Sequence, residues 1–148
     1  MIRAGIASVA VGLLAAVTVA RAAQEPRLSP AIAWRDCAPW DGPAFTVAVG
    51  REGATSVDPA RPWLRISIWQ EAGTRHGVTY RFPDTTQKLG AVEYGGTAFP
   101  SVNGTVTFPS AVSEEVVAGS FDFMTPDGRH LAGRFRGGWR PVAALCGT

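Results

Sequence analysis

Apolar and polar residues alternate with a period of two along most of the chain beyond residue 40, in short runs separated by turn-forming residues. Phe45, Val47 and Val49 alternate with Thr46 and Ala48, which predicts a first strand stopped by Gly50 to Gly53. Asp58-Pro59-Ala60-Arg61-Pro62 reads as a stiff connection, and Trp63 to Gln70 as the next strand. That strand puts Leu64, Ile66 and Ile68 on one face and Trp63, Arg65, Ser67 and Trp69 on the other. Val78, Tyr80 and Phe82 alternate again, and Lys88 to Tyr94 forms a weaker run closed by Gly95-Gly96. No helical period persists beyond a turn or two.

Turn chemistry predicts two hairpins. Asn103-Gly104, the favoured pair for a type I′ turn, stands between Ser101-Val102 and Thr105 to Phe108. Pro100 would hold the first of those strands to a sheet edge. The other hairpin runs Val116 to Met124, then Thr125-Pro126-Asp127-Gly128, then Arg129 to Trp139. Pro126 suits the first corner of a type I turn and Gly128 the left-handed bulge after it. This turn sets a register in which Phe121 faces Gly133 and Gly119 faces Phe135, each ring covering a strand glycine. The expected fold is all-β, a small antiparallel β-sandwich or barrel of about six to eight short strands.

Two features outside these strands bear on where the protein acts. Ala4 to Ala20 is uncharged and rich in Ala, Val and Leu, follows Arg3, and leads into Ala20-Arg21-Ala22. This is the form of a signal peptide cleaved after Ala22, and it is shorter and less apolar than a bilayer-spanning helix. Nothing later in the chain is apolar for long enough to span a membrane. The expected organisation is therefore a signal peptide over residues 1–22, a Pro-containing leader over 23–36, and one β-domain over 37–148. Cys37 and Cys146 are the only cysteines, near the two ends of that domain. In a small exported chain such a pair reads as a disulfide, with Cα atoms about 4.4–6.8 Å apart.

Charge narrows the possible partners. The precursor carries 14 basic and 12 acidic residues, and removing Arg3 and Arg21 leaves the exported part formally neutral. A neutral domain lacks the basic balance that nucleic-acid binding usually needs. Two sulfurs with no clustered His or Cys do not make a metal site, and no cofactor fingerprint is present.

Catalytic signatures are scarce. His76 lies in the polar loop Thr74 to Gly77, where a solvated histidine is expected. His130 is better placed, because the hairpin register puts it on the non-core face with Arg134 and Arg136 and opposite Met124, Asp122 and Ser120. A Ser120–His130–Asp122 triad fails on distance, since Ser120 and His130 stand about four residues apart along the ladder at ~3.4 Å each. Glu114 and Glu115 are adjacent and point to opposite faces, which does not suit a carboxylate pair. Trp63 and Trp69, with Arg65 between them, offer an aromatic platform on the side away from Leu64, Ile66 and Ile68.

The sequence thus reads as a periplasmic or secreted binding module, an inhibitor or accessory protein with no catalytic residues. It would present His130, Arg134, Arg136, Trp63, Trp69 and Arg65 to a protein, peptide or glycan of the cell envelope. A small hydrolase or lyase using His130 with a carboxylate is the alternative, and a structural envelope protein the third reading.

Overall fold

The computed structural model describes residues 28–73, 77–86, 88–95, 102–110, 112–113, 115–141 and 144–146. Eight strands run β1 (Leu28–Cys37), β2 (Pro43–Val49), β3 (Leu64–Ile68), β4 (Val78–Phe82), β5 (Gly90–Tyr94), β6 (Asn103–Phe108), β7 (Val116–Met124) and β8 (His130–Arg140), with no helix among the described residues. They form one sheet in the order β4-β6-β7-β8-β1-β2-β3-β5.

The alternation seen in the sequence decides which side chains fill the interior. Phe45, Val47 and Val49 lie opposite Ile68, Ile66 and Leu64 across the β2–β3 ladder, and Ile66 lies opposite Val92. Tyr80, Phe82, Val106, Phe108, Val117, Phe121, Phe123 and Phe135 complete the same cluster from the other wall. Phe45 on β2 and Phe108 on β6 have ring centroids 5.7 Å apart although four ladder steps separate their strands. At ~4.8 Å per step a flat sheet would hold them about 19 Å apart. The sheet therefore curls until its walls meet. Its end strands, β4 and β5, do not pair with each other, so the result is a nearly closed barrel.

The β7–β8 hairpin has the register its turn chemistry predicts, from Val116↔Gly138 to Met124↔His130. Thr125 N–H donates to Arg129 O at 2.9 Å, and Gly128 takes φ of 80° at the bulge. A Cβ added at Gly133 would lie 2.8 Å from the Phe121 ring, and one at Gly119 would lie 2.6 Å from the Phe135 ring. Each phenylalanine occupies the space its opposite glycine leaves.

Three local expectations are corrected. The stretch read as a leader becomes β1 from Leu28 onward, seated between β8 and β2. Its inward residues are Ser29, Ala31 and Ala33, while Leu28, Ile32 and Trp34 point outward, so the large apolar residues alternate on the outer side and do not mark a core-facing stripe. Moreover, β1 pairs with β8 in parallel, a departure from a wholly antiparallel sheet. Finally, Asn103-Gly104 is not a turn. Both residues open β6, where Asn103 faces Met124 and Gly104 lies between Phe82 and Phe123. Gly104 takes φ of 153°, and an added Cβ would lie 1.9 Å from Asp122 O, so this glycine serves a close strand-to-strand approach. Pro100 and His76 lie outside the described residues.

Because β1 and β8 run in parallel, their C-terminal ends reach the same end of the barrel. There Cys37, the last residue of β1, joins Cys146 across a Cα–Cα distance of 5.5 Å.

Candidate functional site

Period-two alternation sends one set of side chains from β7, β8 and β1 to the outside of the barrel, and the register lines them up in rows. Ser120, Arg134 and Leu28 make one row, and Ala118, Arg136 and Pro30 the next. Val116, Gly138 and Ile32 follow, and Arg140 lies beside Trp34 at the end of β8. Arg134 and Arg136 flank a cleft of about 370 Å³ whose lining includes Leu28, Thr107, Pro109, Ala118 and Ser120. Small side chains at Ala118 and Ser120 keep its floor low. Among the described residues neither arginine forms an ion pair or hydrogen bond, so both guanidiniums retain their full donor capacity.

His130 stands on the same outer face, four residues along β8 from Arg134 and outside the cleft. Its Nε2 lies 2.9 Å from Asp122 Oδ1, and the two side chains are 59% and 67% exposed. A histidine oriented by a carboxylate can act as a general base in hydrolysis. Here it is open to solvent, with Met124 opposite His130 and Ser120 opposite Arg134, so no serine lies beside the imidazole.

The other expected site residues are not brought to this face. Trp63 precedes β3 and does not follow its alternation; its ring packs 5.9 Å from Phe121 and 5.7 Å from Tyr94, at the edge of the core. Trp69, at the opposite end of β3, meets Trp40 edge-on at 5.4 Å. The two rings take different neighbours and do not form one platform around Arg65. Arg65 instead donates to Pro59 O at 3.1 Å and approaches Glu93 at 4.0 Å, which ties the β2–β3 connection down over the sheet. Its Nε is enclosed without a partner. The cation–π contact in the molecule is Arg129 over Tyr94 at 5.4 Å, among the described residues.

Sequence reasoning missed Leu28, Thr107 and Pro109. Leu28 carried a usable signal in the alternation of Leu28, Pro30, Ile32 and Trp34 with Ser29, Ala31 and Ala33, read with the large residues outward. Thr107 and Pro109 reach the cleft only through the β6–β7 pairing. A second cavity, of about 290 Å³, opens at the disulfide end between Arg35, Asp36, Asp41, Glu71 and Cys146. Asp36 there is engaged, accepting from Thr46 Oγ1 at 2.7 Å and from Cys37 N–H at 2.9 Å. No group of His, Cys, Asp and Glu suited to a metal ion occurs among the described residues, and no described helix is long and apolar enough to cross a membrane. No protein-family model, curated protein or solved structure matches the chain.

Proposed function

We propose that this chain is an exported binding module that holds an anionic group of a cell-envelope partner between Arg134 and Arg136. The observation that carries this reading is two guanidiniums without partners among the described residues, at consecutive outward positions of one rigid strand, over a concave floor of small side chains. Arginine recognises carboxylate and phosphate oxygens with paired, directional hydrogen bonds, and strand placement fixes the spacing before a ligand arrives. The Cys37–Cys146 disulfide fits an oxidising compartment. Together with the apolar run and Ala20-Arg21-Ala22, it supports export to the periplasm or beyond.

The experiment is capture from an envelope extract of the native host, with the wild-type protein and the Arg134→Ala/Arg136→Ala variant as parallel baits. A partner retained by the wild type, lost from the variant and released by salt supports the reading. Equal capture by both baits overturns it. The His130–Asp122 contact supports a hydrolase as the second reading, and turnover that disappears in His130→Ala would favour that one.

A further inference from the structure

The anion-binding face carries more than arginine. Of the five large apolar side chains exposed among the described residues, Leu28, Val116 and Met124 all lie on the outward side of β7 and β1. They alternate in space with His130, Arg134, Arg136 and Arg140. Leu28 is beside Arg134, Met124 is opposite His130, and Val116 shares a row with Gly138, between the rows of Arg136 and Arg140. The outward acids of these three strands are Asp122, held by His130, and Asp36 at the disulfide end, which accepts the Thr46 hydroxyl.

Shape and charge together indicate what such a face meets. Val116 and Met124 are eight residues apart on one strand, roughly 27 Å at ~3.4 Å per residue. The cations and apolar side chains form a band along three adjacent strands, β7, β8 and β1. A pocket for one small anion would need only the cleft, and would not need apolar side chains exposed beyond it. The exported part of the chain is formally neutral, so this local basic excess is a segregation of charge onto one side. Arginines at phosphate level with apolar side chains entering the headgroup boundary is the composition that binds anionic lipid.

We infer that the outer face of β7, β8 and β1 docks on an anionic phospholipid surface, with Arg134 and Arg136 on lipid phosphates and Leu28, Val116 and Met124 against the headgroup boundary. This rests on the anionic-partner reading above and names the partner.

The test is sedimentation of the exported protein with vesicles of pure phosphatidylcholine or with about 30% phosphatidylglycerol added, at low and high salt. Binding should require phosphatidylglycerol and fade as salt shortens the screening length. At roughly fivefold per arginine near a charged membrane, Arg134→Ala/Arg136→Ala should weaken partitioning on the order of 25-fold. Leu28→Ser should weaken it further. Arg61→Ala/Lys88→Ala removes the same charge from the β2–β3 and β4–β5 connections and should change it less than about twofold. Equal loss in both double variants would mean that net charge alone is responsible, and would overturn the inference. So would displacement by millimolar inorganic phosphate, which would assign the cleft to a free anion. Arginine-dependent binding to an immobilised polyglutamate without vesicle binding would overturn the lipid inference and leave the anionic-partner reading standing. Arginine-independent behaviour towards both probes would remove both.

Discussion

Phe121 and Phe135 each fill part of the barrel interior and shield the glycine on the neighbouring strand. Replacing either with Ala removes a buried ring and also exposes the backbone at Gly133 or Gly119. The expected loss is about 3–5 kcal/mol, a large share of a typical domain's stability, measured by denaturant unfolding. Arg134→Ala and His130→Ala alter exposed positions and should cost about 1 kcal/mol or less. Those two substitutions therefore report on binding with the fold intact. Asp84 is a different kind of anchor. Burial raises its pKa, but hydrogen bonds from Leu89 N–H, the Thr86 hydroxyl and N–H, and Lys88 N–H together outweigh this and hold it below the ordinary aspartate value. A carboxyl depressed on folding stabilises the native state above its unfolded pKa, and that contribution is lost as pH falls through the lower folded value. Wild type should accordingly lose stability below about pH 4 more steeply than Asp84→Asn, in melts recorded across that range. Asp58 and Asp127, in the connection and the turn that the sequence marks, act locally: Asp58 Oδ1 accepts from Ala60 N–H at 2.9 Å, and Asp127 pairs with Arg129 at 2.7 Å.

Among the elements, the β7–β8 hairpin was readable because three independent signals agree on one register: a proline at the turn corner, a glycine at the bulge, and matched ring–glycine pairs. Asn103-Gly104 carried one signal only, and pairing with strands on both sides overrode it. The two glycines Gly104 and Gly128 separate these cases experimentally. At Gly128 an added Cβ meets nothing within 4 Å, so Gly128→Ala should cost only the left-handed backbone penalty, about 1–2 kcal/mol. At Gly104 the same change drives Cβ against the backbone of Asp122 and Phe123, and should exceed that cost clearly in unfolding measurements. A tolerated Gly104→Ala would restore the turn. For the Trp63–Trp69 platform the parity argument failed for a definite reason: β3 begins at Leu64, so alternation does not govern the ring before it.

At the scale of the whole molecule, one parallel pairing organises the ends of the chain. β1 lies between β2 and β8, so the first and last strands complete the wall and the disulfide joins the segments leaving the same end. The bridge spans a sequence separation of 109 residues. Closing a loop of that size restricts the unfolded chain by an amount worth roughly 4–5 kcal/mol in the chain-entropy treatment. Reductant, or Cys37→Ser/Cys146→Ser, should lower the melting temperature markedly, whereas an unchanged transition would show that the sheet closes without help from the bridge.

Alternation and turn residues act over a few positions, and they alone determined the all-β class, the β2, β3, β4, β7 and β8 strands, the inward rings of the hairpin and the pairing of two cysteines. They set parity within a strand but not its neighbours. Only the tertiary structure put β1 into the wall, because small inward residues carry no hydrophobic signal until a barrel interior packed with rings from other strands makes small size the fitting choice. Only it set Leu28 beside Arg134, 106 positions away in the chain, and joined Thr107 and Pro109 to the same cleft. Such contacts depend on which strands close the sheet, and that choice is made by the summed packing of the whole interior, to which no single segment holds the key.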